Sequence, residues 1–351
     1  MKRLSLRLLS LCLVLSLFAG LACVLSSCAS KTTGPPETPA GAPTGPGLAT
    51  TSTGQIRVGI VTNAVSAFWN PMTKGMEAAA EKLGVDAKWK GPQDGQVATQ
   101  RRLIEDFAAQ KVDAICISPI TEEAIKPVID DLVAKGIVVI LFDSDVAGSK
   151  RAAYIGTNNF KAGQELGMEA LKVVGKKPTK AVAFVGTMTA SNAKERLNGF
   201  KDATKGVIEV VDVREDQTDK NRARKNVEEV LASKPDVTLL VGLWSYNAPA
   251  IAQAVQAASK ADKVKIVSFD AEPATLEHLT KGEIEATVVQ KPFFFGYLAV
   301  QLMRDMVQAG VEETQMLLPP GGVIDTGVTV VTPKTVEEFK TYLTSIGVES
   351  S

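Results

Sequence analysis

The sequence predicts an α/β protein built from two doubly wound parallel sheets. Short β-branched runs alternate with stretches of helical apolar spacing. The alternation occurs twice, and each round closes on a Phe-Asp pair.

The first round opens with Ile56-Arg57-Val58-Gly59-Ile60-Val61. Residues 70–83 then place Met72, Met76, Ala79, Ala80 and Leu83 on one helical face that closes before Gly84. A strand near 86–89 leads to a helix near 97–110, and a strand at 113–117 leads to a helix at 123–135. A strand at 137–142 follows. Helices of this length are the crossovers that parallel strands need, so βαβ units are expected. The second round begins at Ala181-Val182-Ala183-Phe184-Val185. Its later strands fall near 207–213, 237–241 and 264–269, with helices near 192–204, 219–232 and 247–259.

The two rounds end alike. Ile137-Val138-Val139-Ile140-Leu141-Phe142-Asp143 closes one, and Val264-Lys265-Ile266-Val267-Ser268-Phe269-Asp270 closes the other. Open α/β sheets bind ligands outside the carboxyl ends of their strands. Facing sheets would therefore aim Asp143 and Asp270 into one cleft. Either Asp alone also suits a turn or a helix N-cap; the repeated placement favours the site.

The chain's 351 residues accommodate a leader and two domains. Lys+Arg and Asp+Glu balance at 39 each, so no global field draws nucleic acid. The one histidine, His278, lies in Leu276-Glu277-His278-Leu279 and reads as a helical surface residue. With a single His, triad catalysis and His-based metal sites are hard to assemble. Phosphate-loop and nucleophile-elbow motifs are missing. Asp143-x-Asp145 with Gly148 begins like a calcium loop, but Tyr154 stands where the bidentate Glu belongs. Glu122-Glu123 and Glu228-Glu229 read as solvated helix faces. Of the four cysteines only Cys116 lies in the body, in an apolar run, and reads as a small buried hydrophobe.

At the N-terminus, Lys2, Arg3 and Arg7 precede an apolar stretch from Leu8 to Leu25. This reads as a signal peptide over 1–28. Its end, Leu25-Ser26-Ser27-Cys28, resembles the lipobox of bacterial lipoproteins, which implies a lipid on Cys28. Cys23 fits less well, because Gly20 stands where an aliphatic residue belongs. Residues 29–54 hold five Pro and five Gly and read as a flexible tether.

Residues 55 to about 346 resemble the type I periplasmic sugar-binding proteins of the ribose-binding group. The resemblance rests on Ser66-Ala67-Phe68-Trp69 with Gly75; Ile117-Ser118-Pro119; Phe142-Asp143; and Tyr154-Ile155-Gly156-Thr157-Asn158-Asn159 with Gly163. It continues with Glu195-Arg196 before Gly199-Phe200, Phe269-Asp270, and Ala286-Thr287-Val288-Val289-Gln290-Lys291-Pro292. It implies two lobes joined by a three-segment hinge: 55–157 plus 291–325, and 158–290 plus 326–346. It further implies a monomeric binding protein rather than an enzyme, with no cofactor, whose closed form docks on ABC permease subunits.

The family's sugar contacts fall on Ser66, Phe68, Trp69, Ser118, Asp143, Ser144 and Asp145 in one lobe. From the other lobe and hinge come Asn192, Arg196, Thr218, Trp244, Asp270 and Gln290. Aromatic faces suit the C–H face of a sugar, while carboxylates and a forked guanidinium suit its vicinal hydroxyls. Asp143-Ser144-Asp145 departs from ribose binders, which carry Arg after the first Asp, and looks like rhamnose and furanosyl-autoinducer binders. Ribose binders also have an aromatic at the position of Thr218 and an Asn at that of Trp244. Trp244 thus either takes over the second stacking platform or fills core space at a strand end. A ligand-sensing lipoprotein reporting to a membrane receptor is the alternative role. Repressors of this fold begin with a helix-turn-helix, where this chain has its leader, and a hydrolase would need a nucleophile–base pair.

Overall fold

The computed structural model describes residues 54–348; the predicted leader, the Cys28 lipid site and the tether before Gly54 lie outside the described residues. The first round consists of β1 (Arg57–Val61), α1 (Asn70–Leu83), β2 (Asp86–Lys90), α2 (Val97–Ala109), β3 (Ala114–Ile117), α3 (Glu122–Ala134), β4 (Val138–Phe142) and β5 (Ala153–Gly156). The second begins with α4 (Asn159–Val174), β6 (Thr179–Val185), α5 (Ser191–Ala203), β7 (Ile208–Glu215) and α6 (Lys220–Ser233). It continues through β8 (Val237–Gly242), α7 (Asn247–Ala257), β9 (Lys265–Phe269), α8 (Pro273–Thr280) and β10 (Ala286–Val289). The return segments are α9 (Pro292–Ala309), α10 (Val311–Gln315), β11 (Val323–Asp325), β12 (Thr329–Val331) and α11 (Val336–Ser345).

Two 6-stranded sheets result, ordered β11-β5-β4-β3-β1-β2 and β12-β10-β9-β8-β6-β7. Every pairing is parallel except β10 with β12. The orders superimpose strand for strand, so β4 and β9 occupy equivalent places. The chain passes between the sheets three times: after β5, after β10, and between β11 and β12. Buried aliphatic residues fill both faces of each sheet, as parallel strands require. Cys116 is fully buried in one of these cores, and desolvation pushes its thiol well above the usual range. Among the described residues no helix is long and apolar enough to cross a membrane.

Each lobe also contains one very close helix pair. A Cβ on Gly75 of α1 would stand 1.9 Å from Phe293 O, and one on Gly296 of α9 would stand 2.1 Å from Met72 O. In the other lobe a Cβ on Gly163 of α4 would stand 2.1 Å from Arg196 O, and one on Gly199 of α5 1.9 Å from Phe160 O. Only glycine lets these backbones meet. The second pair sets where α5 carries Arg196.

His278 corrects its sequence reading. It is buried on α8, with Nδ1 on the Glu283 carboxylate, because α8 lays that face on the lobe.

Candidate functional site

Asp143 and Asp270 end equivalent strands and share one local geometry. Both are left-handed, with φ of 61° and 66°. Each backbone N–H donates to the adjacent strand, Asp143 to Ile155 O at 3.0 Å and Asp270 to Val288 O at 2.9 Å. Each carbonyl accepts from a side chain on that strand: Tyr154 Oη at 2.8 Å and Thr287 Oγ1 at 2.7 Å. A left-handed non-glycine is uncommon, though Asp tolerates it better than most residues. Here the neighbouring strand holds it in place and turns the carboxylate off the sheet end.

Arg196 lies close to both carboxylates. It is 1% exposed, with Nε donating to Asn159 Oδ1 at 2.9 Å and Nη1 donating to Leu243 O at 2.9 Å. Its guanidinium sits over the Phe269 ring at 4.5 Å, and Nη1 lies 3.8 Å from Asp270 Oδ2. Burial raises the Asp143 carboxyl above its ordinary value, opposed by Arg196 and by hydrogen bonds from Ser118 and Asn192. Burial pushes Asp270 up to about 6, against the same guanidinium and the Gln290 amide. One cation thus serves two desolvated carboxylates.

Two buried polar atoms of this cluster have no partner in the protein, Arg196 Nη2 and Gln290 Oε1. An unpaired buried donor or acceptor is costly, on the order of 1–3 kcal/mol. The cluster borders a cavity of about 80 Å³ between the lobes, walled by Phe68, Asp143, Asn192, Arg196, Trp244 and Gln290. A larger apolar groove of about 890 Å³ lies beside it, between α1, α8 and α11. Asp270 and Gln290 border both spaces, but only the smaller one also meets Asp143 and Arg196, so both carboxylates and both orphaned atoms converge there.

The predicted residues divide by placement. Ser66, Phe68, Trp69, Asp143, Asn192, Arg196, Thr218, Trp244, Asp270 and Gln290 all border the cavity. Trp69 is nonetheless core. It is 1% exposed, with its ring 4.7 Å from Phe68 and 5.3 Å from Phe142. Trp244 is half-buried, and its ring lies so close to Gly186 that a Cβ there would stand 2.0 Å from Cζ3. Its Nε1 donates to Asn192 Oδ1 at 3.2 Å. It therefore packs on the lobe and faces the cavity at once.

Three of the expected contact residues are engaged within the protein. Ser118 is fully buried and stands behind Asp143, donating to Oδ2 at 2.8 Å. Ser144 turns to the opposite lobe, its Oγ 3.0 Å from Ser191 Oγ. Asp145 is held in a bidentate pair by Arg151, at 2.5 Å from Nε and 2.7 Å from Nη2, so its carboxylate is taken. Its backbone N–H donates to Ser191 Oγ at 3.2 Å. Ser144 and Asp145 thus join the lobes across one rim. Glu122 is a solvated residue of the first turn of α3, as its sequence reads, and lies 3.7 Å from the exposed Lys194 of the other lobe. On another rim, a Cβ on Gly95 would stand 2.6 Å from Thr218 Oγ1. The lobes are closed on one another.

Lys220, Ser245 and Tyr246 also border the cavity without a local pattern that marks them. Gln100 has a legible signal: a polar residue on the apolar face of α2, one turn before Ile104. It is fully buried and joins the ends of β1 and β3, Nε2 donating to Thr62 O at 3.0 Å and Ser118 O at 2.7 Å.

Residues 58–311 match the family model described as a periplasmic binding protein domain. The D-allose-binding periplasmic protein of Escherichia coli is 26% identical over 253 residues, 69% of this chain and 81% of that protein. Among solved structures, GanP, a glucose-galactose binding protein from Geobacillus stearothermophilus, is 32% identical with a TM-score of 0.74. The match covers 80% of this chain and 99% of GanP. An ABC transporter solute binding protein from Burkholderia graminis, in complex with D-arabinose, is 31% identical with a TM-score of 0.74. That match covers 82% of this chain and 98% of the other.

Proposed function

We infer the function of this chain from the periplasmic binding protein domain family, to which it belongs, and from the chemistry of its cleft. It is the extracytoplasmic substrate-binding component of an ABC importer. It binds one small sugar, a pentose, hexose, deoxyhexose or related polyol, between its lobes. The observation that carries this is the pair of unpartnered atoms, Arg196 Nη2 and Gln290 Oε1, beside two desolvated carboxylates. A ring with vicinal hydroxyls supplies both an acceptor for the guanidinium and donors for the carboxylates. Phe68 and Trp244 offer faces for its C–H surface. The sugars named for the relatives fit that chemistry. As in its family, the role is binding rather than catalysis.

Further parts of the proposal rest on the sequence. Residues 1–28 are the export signal, Cys28 carries the lipid, and 29–54 tether a monomeric body to the membrane. The lobes comprise 55–157 plus 291–325 and 158–290 plus 326–346. Closure, as across Ser144 and Ser191, forms the surface that permease subunits read.

A thermal-shift screen tests the reading. The full chain, solubilised in mild detergent, is heated with pentoses, hexoses, deoxyhexoses and polyols. A ligand at a hundred times its Kd adds about 2.7 kcal/mol of stability. At least one monosaccharide is expected to raise the melting temperature by several degrees. No shift from any of them contradicts a sugar-binding cleft.

A further inference from the structure

Asp216 is a buried carboxylate at the end of β7 that does not border the ligand cavity. Oδ1 accepts from Tyr246 Oη at 2.5 Å and from Thr218 N at 2.9 Å. Oδ2 accepts from Asn247 Nδ2 at 3.0 Å. The other end of that amide, Asn247 Oδ1, accepts from Trp244 N at 3.0 Å. We propose that Asp216 is a positioning residue that sets Trp244 and Thr218, two of the C-terminal lobe's residues at the cleft, without touching ligand. The proposal rests on the sugar-binding reading of that cleft.

A carboxylate only accepts, so Asn247 must turn its NH2 to Asp216 and its carbonyl to Trp244. The charge on Asp216 thereby fixes an amide orientation, and the amide fixes the Trp244 backbone. The Trp244 ring is then held over Gly186, with Nε1 on Asn192. The same carboxylate secures the loop after β7. Gln217 and Thr218 are consecutive left-handed non-glycine residues, with φ of 55° and 65°. Such strain persists only where the surroundings impose it. Thr218 N reaches Asp216 Oδ1, and Gln217 N donates to Gly186 O at 2.8 Å. Thr218 is also the residue that meets Gly95 of the opposite lobe. A neutral side chain would be cheaper to bury here, and burial already pushes Asp216 up to about 6. A carboxamide in its place, however, would put a donor where two acceptors are used.

One single variant and one double variant test this. Asp216→Asn confronts the Asn247 NH2 with another NH2, so the Asn247 amide turns over and Trp244 N loses its acceptor. Asp216→Asn combined with Asn247→Asp restores the network with its polarity reversed. The carboxamide now at the end of β7 donates, and the carboxylate now at the start of α7 accepts from it and from Trp244 N. All are made in Trp89→Phe, which leaves Trp69 and Trp244 as the only tryptophans. Because Trp69 is buried, acrylamide quenching of the ligand-free chain reports chiefly on Trp244. Asp216→Asn should quench more steeply, and the double variant should return to the parent value. Affinity for the tightest of D-allose, D-arabinose and D-galactose, measured by calorimetry, should fall about three- to tenfold and recover in parallel, the loss of one hydrogen bond. Unchanged quenching in Asp216→Asn, or no recovery in the double variant, overturns the proposal. If Asp216→Asn does not fold, Asn247→Ala removes the same acceptor of Trp244 N, and unchanged quenching there also overturns it. If no sugar binds the parent, the sugar reading fails while the quenching result still decides the role of Asp216.

Discussion

Arg196 Nη1 stands 3.8 Å from Asp270 Oδ2, and that carboxylate still rises to about 6. A single guanidinium cannot offset the desolvation of two carboxylates, Asp143 being its other neighbour. The cleft is therefore less stable than an apolar one would be, and Arg196 Nη2 and Gln290 Oε1 are left without a partner in the protein.

Asp216 and Asp270 rise from 3.8 to about 6, and Asp143 also rises. Between about pH 6 and 4 the folded chain then holds more protons than the unfolded one. The stability contributed by these groups is present at low pH and lost as pH rises through about 6. Carboxylates held low on the surface, such as Asp94 and Asp236, act oppositely but only nearer pH 4 and below. Melting temperature is expected to rise from about pH 7.5 to about pH 5, while sugar affinity falls as Asp270 loses its charge. Asp270→Asn should flatten both trends, as calorimetry across that interval would show.

Trp244→Ala is expected to weaken binding by about 1–3 kcal/mol, the range for a buried aromatic contact. It should also remove most of the ligand-induced change in intrinsic fluorescence. Trp89→Phe should spare both, because Trp89 does not border the cavity; its Nε1 donates to Thr62 Oγ1 at 3.1 Å. Wild-type affinity with a lower melting temperature would make Trp244 a packing residue only.

Gly163→Ala should act on fold and site together. Its Cβ would meet Arg196 O at 2.1 Å, so α4 and α5 must part and Arg196 must move. About 1–3 kcal/mol of destabilisation is expected, with weaker sugar binding. Gly75→Ala forces apart the equivalent helix pair in the other lobe and is the control. Equal loss of stability with unaltered affinity in both would show that the α4–α5 contact does not place Arg196.

Cys28→Ala should abolish incorporation of a labelled fatty acid into the chain expressed in a bacterium, and should release it from the membrane. Unchanged labelling would move the lipid to Cys23.

Much of this is legible in the sequence because it is local. The β-branched runs, the helical spacings and the Phe-Asp endings of β4 and β9 are all short-range patterns. β5 is harder to read, since its four residues follow β4 with no helix between them. Asp143 and Asp270 can be paired because the two halves repeat. Asp145 cannot be separated from them, because its true partner, Arg151, is six residues on and is met only once the loop folds back. Ser144 finds Ser191 across the lobes, a contact no local pattern encodes. Trp69 reads as a cleft aromatic, but burial against Phe142 makes it mainly core. His278 shows the same limit: burial of a polar residue depends on which helix face the lobe covers.

Calorimetric titration of Asp143→Ala and Asp270→Ala with the sugar found in the thermal-shift screen bears most directly on the cleft. Each variant removes a charged acceptor of ligand hydroxyls, worth about 1.5–3 kcal/mol. Affinity should fall at least about tenfold in both, while each variant still unfolds in one cooperative transition. Parent affinity in both variants would mean that the sugar binds somewhere other than between these two strand ends.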